Sequence, residues 1–335
     1  MDNPKEIIIA IDAMGGDLAP SAVINGAFQA SKKIPKIKFI FFGNKMKITP
    51  LLKGKNLLNI SEIVHTNQII TNDVKPTDAL RKFRKSSMFQ AIDSVKSGVS
   101  NAIVSGGNTG ALMVISTVLM KTISGINRPA IATMFPTKKS ETLMLDLGAN
   151  IDCDEKNLTD FACMGSALFK SLFENDKPKV ALLNVGLEEY KGNDILKKTF
   201  SILKKNKMAN FIFDGYIEGN HIMEGNVDVI VTDGFTGNIA LKTAEGTANF
   251  ISKNLKDSLS KLSILFSYSS LKKFKNKLDP RKYNGAIFLG LQSPVVKSHG
   301  STDSIGFANS INVCNKIVKA NLIEKIESNL ITVDA

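Results

Sequence analysis

Tryptophan is absent from this 335-residue chain, aromatic residues make up only 7% of it, and there are just three cysteines and three histidines. Each scarcity excludes something. Single-stranded nucleic acid is bound on aromatic platforms, so few aromatics and no recognition motif argue against a nucleic-acid partner. Cys153, Cys163 and Cys314 have neither paired spacing nor a nearby histidine cluster, which argues against a disulfide framework or zinc site and fits reduced cytosol. No carboxylate or histidine cluster has metal-ligand spacing, so the chemistry is expected to need neither metal nor cofactor. No apolar run reaches the roughly 18 to 20 residues that span a bilayer, and no signal-peptide core precedes the first strand. A cytoplasmic protein whose membrane contact is peripheral is therefore expected. A strand-linked GxGxxG with its ribose-binding acid is missing, which disfavours a nicotinamide dehydrogenase, and a missing GxSxG elbow disfavours an ordinary esterase.

Apolar residues at 43% and charged residues at 22% are close to globular averages, so neither disorder nor a membrane-embedded body is suggested. The net charge of +12 is the outlier. It favours acidic partners such as phosphorylated substrates, acidic proteins, nucleic acid or anionic lipid, although lysines such as Lys32, Lys33, Lys204 and Lys205 also read as solvated background.

Short β-branched runs at 7–11, 38–42, 102–105, 180–184 and 227–231 alternate with longer amphipathic segments. That alternation predicts an α/β fold, a three-layer α/β/α unit on a largely parallel central sheet. Ligands of such sheets bind beyond the carboxyl ends of strands, where glycine-rich turns and helix N-termini expose N–H groups. Five such ends are rich in Gly, Asn, Asp and Thr: 12–17, 105–110, 184–186, 233–238 and 298–303. Singly, each is a tight turn with a helix cap; together they predict one anion-binding cleft. No linker or internal repeat divides the chain, so 1–335 reads as one catalytic unit. Helical spacing from Asn238 to Leu262 runs into an apolar segment at 262–270 and a lysine-rich one at 271–278. A protruding helical hairpin over 250–284 is expected, whose 262–278 region either meets an anionic membrane or buries in a core or dimer interface.

The runs IAIDAMGGDLAP (9–20), VKPTDALRKFRKSSM (74–88), SGGNTGALM (105–113), RPAIA (128–132) and MLDLGANIDC (144–153) carry a resemblance. It continues through LLNVGLEEYKGND (182–194), VDVIVTDGFTGNIALKTAEG (227–246) and GLQSPVVKSHGSTDSIGFAN (290–309). In this order, over nearly the whole chain, they resemble the phosphate acyltransferase family of bacterial phospholipid synthesis. The resemblance implies a fold similar to phosphate acetyltransferases and isocitrate or isopropylmalate dehydrogenases. It also implies a homodimer, acyl carrier protein as partner and donor, inorganic phosphate as acceptor, an acyl phosphate product, and peripheral membrane association. Asn220, His221, Leu18 and Ala19 depart from the family pattern, which touches substrate detail rather than reaction class.

Attack of a phosphate oxygen on a thioester needs donors for the phosphate and for the developing oxyanion, not a serine triad. Lys191, after the polar turn at 184–186 and before Gly192, is the first catalytic candidate. It holds phosphate or the carbonyl oxyanion, or else it is a surface lysine paired with Glu188 or Glu189; the resemblance associates KGN here with catalysis. Asn238 is the second, expected in the first turn of the long helix, with an ordinary cap as the alternative. Asp12, Gly15, Gly16 and Asp17 shape the first loop as organisers, since two aspartates repel free phosphate unless they orient lysines or backbone. Gly107, Asn108, Thr109 and Gly110 are candidates for phosphate or the pantetheine arm, with N-capping as the alternative for Asn108. Lys297, Ser298 and His299 offer a cation, a hydroxyl and a proton donor, with a structural role as the alternative for His299, whereas His65 and His221 read as structural. A short-chain phosphate acetyltransferase is the competing enzyme, and a noncatalytic membrane-surface or nucleic-acid binding module the competing class.

Overall fold

The first strand shows why the chain layers as it does. In β1 (Ile7–Asp12), Ile9 and Ile11 enter one apolar core and Ala10 enters another. A strand buried on both faces reads as an unbroken apolar run, which is what a parallel sheet covered by helices requires. The computed structural model describes residues 6–173, 175–206, 210–258 and 279–330.

The remaining elements follow in order. The first half holds α1 (Ser21–Ser31), β2 (Ile37–Gly43), α2 (Lys45–Lys53), β3 (Ser61–His65), α3 (Pro76–Lys82), α4 (Ser87–Lys96), β4 (Ala102–Ser105) and α5 (Thr109–Met120). Next come β5 (Ala130–Pro136), β6 (Glu141–Leu145), α6 (Glu155–Phe173), β7 (Lys179–Asn184), α7 (Asp194–Lys205), β8 (Ile212–Glu218), β9 (Val229–Val231) and α8 (Gly234–Ser258). The chain closes with β10 (Ala286–Leu289), β11 (Val295–Lys297), α9 (Ser304–Lys319) and α10 (Leu322–Glu327).

The strands form one 11-stranded sheet in the order β3-β2-β1-β4-β11-β10-β5-β6-β9-β7-β8. Side chains of α1, α2, α6, α7, α9 and α10 fill the core on one face, and those of α3, α4, α5 and α8 pack on the other. This is the expected three-layer arrangement, mostly parallel. Its exception decides where function sits. β10 is antiparallel to both β11 and β5, and β5 is antiparallel to β6. Consequently β3, β2, β1, β4 and β11 run one way, while β6, β9, β7 and β8 run the other. The carboxyl ends of the two groups lie at opposite edges of the sheet.

The long helix α8 begins at Gly234, four residues before the position expected from spacing, because Asp233 caps it: its carboxylate accepts the Thr236 N–H and the Thr236 hydroxyl, each at 2.8 Å. Asn238 is therefore the fifth helical residue, beyond the turn whose N–H groups lack helical partners. The hairpin region at 262–278, with its proposed membrane contact, lies outside the described residues. Among those described, no helix is long and apolar enough to cross a membrane.

Candidate active site

Three neighbouring strands, β1, β4 and β11, place Asp12, Ser105 and Lys297 in register. Ala10, Ile103 and Val295, two residues back on each strand, share one core, so period-two alternation puts the three polar side chains on that same face. Asp12 is buried and its Oδ2 accepts the Ser105 hydroxyl at 2.7 Å. Burial pushes the Asp12 carboxyl above its usual range, against the pull of the Ser105 hydrogen bond, the Met14 N–H and the Lys297 charge. Lys297 donates to the Gly106 carbonyl at 3.3 Å and to the Ser298 carbonyl. Burial brings its ammonium down to about 8; Asp12 and Asp17 resist this, and Lys242 on α8 adds to it. A half-buried cation that donates to carbonyls, with the Asp12 and Asp17 carboxylates as its nearby charges, favours an anion at its open side.

The loops above this row are sewn together through their backbones. Asp17 N–H donates to Gly300 O at 2.8 Å, and Ser298 N–H to Ser105 O at 2.9 Å. Gly106 is required because a Cβ there would sit 2.8 Å from Gly15 O, and Gly107 because its Cβ would sit 2.7 Å from Met88 Cε. Gly16 holds φ at +108°, a left-handed conformation that glycine adopts without strain. Gly15, Gly16, Gly106, His299, Gly300 and Thr302 surround a small recess at this edge.

The other candidates at this edge divide by what their polar atoms do. Asn108 caps α5 through the Ala111 N–H at 3.0 Å, and its amide nitrogen donates to the carbonyls of Thr71, Asn72 and Val74 at 3.1, 3.2 and 3.0 Å. All its groups are committed to holding the 71–74 loop. Thr109 is exposed at the start of α5, and Gly110 packs against Pro76. Ser298 is buried, its hydroxyl accepting from Asn284 Nδ2 at 2.9 Å. His299 is exposed, and its Nδ1 pairs with the Ser301 hydroxyl at 3.0 Å. Asn284, which sequence reasoning missed, also accepts the His299 N–H at 2.8 Å and so fixes the third loop. Its only sequence signal is a following glycine, common to any turn.

Lys191 and Asn238 follow β7 and β9, in the second group of strands. The reversal of strand direction across β10 and β5 puts these two loops after strands that run against β1, β4 and β11, while α8, which begins in one of them, carries Lys242, whose charge is felt at Lys297. Lys191 is exposed and, among the described residues, forms no ion pair. Glu189 pairs with Lys204 at 2.5 Å instead. The Lys191 carbonyl accepts from Asn184 Nδ2 at 3.2 Å, which pins the loop to the end of β7. Asn238 is exposed and donates to Leu147 O at 3.2 Å.

A buried Asp146 organises this edge, and sequence reasoning missed it although it lies in the 144–153 run. It accepts the N–H groups of Ile131, Ala149 and Asn150 at 2.9, 3.1 and 2.7 Å, and the Asn150 amide at 3.0 Å. Burial and the Asp146 charge push the neighbouring Cys153 thiol up to about 12, so it supplies no thiolate nucleophile at neutral pH. Among the described residues, no group of three or more His, Cys, Asp or Glu side chains is arranged to hold a metal ion.

The profile of the family described as "Fatty acid synthesis protein" matches residues 7–325. A phosphate acyltransferase of Pelagibacter ubique is 51% identical over 333 residues, covering 97% of this chain and 99% of that protein. The chain belongs to the phosphate acyltransferase family, and it is an acyltransferase. A second relative, the phosphate acyltransferase of Paramagnetospirillum magneticum, is 46% identical over 96% of this chain and 93% of its own. Among solved structures, a phosphotransacetylase from Streptococcus pyogenes superposes with a TM-score of 0.65 at 17% identity, covering 96% of this chain and 95% of that one. A branched-chain phosphotransacylase from Enterococcus faecalis gives 0.58 at 14%, over 93% and 99%. At these identities the solved structures speak to fold alone.

Proposed function

We propose that this chain transfers a fatty acyl group from an acyl carrier protein thioester to inorganic phosphate, giving acyl phosphate for phospholipid synthesis. Family membership supports acyl transfer to phosphate. The observation that carries the site is the desolvated Lys297 ammonium in register with Asp12 and Ser105 beneath three glycine loops. Phosphate binds there, held by Lys297 against the glycine loops at 15–17, 106–110 and 298–300. Asp12 does not repel it directly, because its carboxylate faces the Ser105 hydroxyl.

One phosphate oxygen attacks the thioester carbon, the carbonyl π pair moves to oxygen, and the tetrahedral intermediate collapses with departure of the carrier thiolate, which takes a proton from solvent. Lys191 and Asn238 act on the phosphate or the carbonyl oxyanion, and a donor of this kind contributes about 3 kcal/mol. The chain works as a homodimer in the cytoplasm, with peripheral membrane contact through the 262–278 region. Phosphate-dependent thiol release from long-chain acyl carrier protein, measured beside acetyl-CoA, tests the donor. Faster release from the carrier protein is expected; equal or faster release from acetyl-CoA overturns the assignment in favour of the short-chain reading.

A further inference from the structure

The stretch 75–85 carries five cations, Lys75, Arg81, Lys82, Arg84 and Lys85, against one acid, Asp78. All five are exposed. Among the described residues only Lys82 has an ion pair, to Asp78 at 3.1 Å, and both partners stand largely in solvent, so the pair offsets little of the local charge. The backbone beneath is held firmly. Gln68 Oε1 accepts the Lys85 N–H at 3.0 Å, and the Thr66 hydroxyl and Gln90 amide donate to the Lys85 carbonyl at 2.5 and 2.6 Å. A fixed backbone with five cationic heads in solvent presents a positive field to whatever approaches.

That stretch is tied to the anion site at both of its ends. Before it, Asn108 holds the carbonyls of Thr71, Asn72 and Val74, and Pro76 lies so close to Gly110 that a Cβ there would stand 2.8 Å from its Cγ. α3 packs along α5. After it, Met88 Cε meets Gly107, where a Cβ would stand 2.7 Å away. The cations therefore flank the 105–110 loop, whose Gly106 carbonyl accepts from Lys297. Five exposed heads on α3 and its link to α4 suit an extended acidic surface rather than a single phosphate. A bilayer would meet such a face anywhere on the molecule, but the donor of a thioester has to rest beside the loops where its carbonyl reacts.

We infer that the 75–85 face docks the protein that carries the acyl donor, through acidic side chains on that protein, and so presents the thioester to the adjoining glycine loops. The inference rests on the carrier-protein donor proposed above. Exposed charges of this kind act on encounter and orientation more than on the chemical step. They belong to binding of the carrier and leave phosphate to Lys297.

Charge reversal in the full chain tests this. Arg81→Glu/Arg84→Glu is compared with Lys33→Glu/Lys96→Glu, an equal change of charge where α1 and α4 run back to the amino ends of β2 and β4, and circular dichroism checks both folds. Phosphate-dependent thiol release is measured from long-chain acyl carrier protein and from the same acyl group on pantetheine alone. The first variant is expected to lose about tenfold or more in kcat/KM for the carrier, through KM and with a flatter salt dependence than wild type. Its rate on acyl-pantetheine and its KM for phosphate stay within about twofold. Arg81→Gln/Arg84→Gln falls between it and wild type, and the Lys33/Lys96 variant keeps both activities. An unchanged carrier kcat/KM in Arg81→Glu/Arg84→Glu overturns the inference; if phosphatidylglycerol vesicles then bind wild type and not that variant, the face meets a membrane instead. An equal loss on acyl-pantetheine, or in the Lys33/Lys96 variant, overturns it too. A wild type active on acyl-pantetheine but not on the carrier protein overturns the donor reading itself, and this docking with it.

Discussion

Lys297 gives the anion site a titration that is readable in both stability and rate. Holding its ammonium at about 8 instead of 10.5 costs the folded state roughly 3 kcal/mol at neutral pH. The unfolded chain keeps this lysine protonated up to about 10.5, whereas the folded protein releases the proton near 8. Between those values the unfolded state binds the extra proton, so this residue makes stability rise with pH across the window and leaves it flat below. Chemical denaturation of wild type and Lys297→Met at a series of pH values isolates the term, because most other groups titrate alike in both. The wild type is expected to gain up to roughly 3 kcal/mol relative to the variant between about pH 8 and 10.5. Activity runs the opposite way. Anion binding needs the proton, so kcat/KM for phosphate falls by about tenfold per pH unit above about 8. Bound phosphate opposes deprotonation and moves both limbs to higher pH. Stability profiles that are parallel in the two proteins, or a phosphate kcat/KM flat between about pH 7 and 10, would refute a desolvated cation at this site.

Lys191→Ala and Asn238→Ala each lower kcat by about 100-fold, while leaving the melting temperature nearly unchanged for Lys191, which is exposed; steady-state kinetics beside calorimetry separates the two effects. Gly237→Ala destabilises by about 3 kcal/mol or more, because its Cβ overlaps the Asp146 carbonyl oxygen, and denaturant melts read this directly. Asn108→Ala removes the α5 cap and three bonds to the 71–74 loop. A loss of about 2 kcal/mol and faster proteolysis in that loop are expected.

The layered fold was legible because parallel strands buried on both faces leave unbroken apolar runs, as IIIAI at 7–11 does. The loops were legible for a related reason, since packing backbone against backbone at Gly15, Gly106 and Gly107 demands glycine. Direction left no such trace. Nothing in AIFL at β10 distinguishes an antiparallel strand from a parallel one, yet at that strand the sheet begins to reverse between β11, which carries Lys297, and β7, which leads to Lys191. Asn238 was placed one turn too early because an apolar period gives the face of a helix, while its start is set by a capping carboxylate, here Asp233. Asp146, Asn184 and Asn284 escaped because each works through backbone atoms of segments remote in sequence. Asn108 was recognisable as a cap, but its grip on residues 71–74 was not.

The position of bound phosphate tests the central claim most directly. A crystal structure of the full chain with inorganic phosphate is expected to show the anion on Lys297 Nζ, against the glycine loops at residues 15–17, 106–110 and 298–300. Phosphate lying elsewhere, with Lys297 still bonded only to the Gly106 and Ser298 carbonyls, would contradict the account.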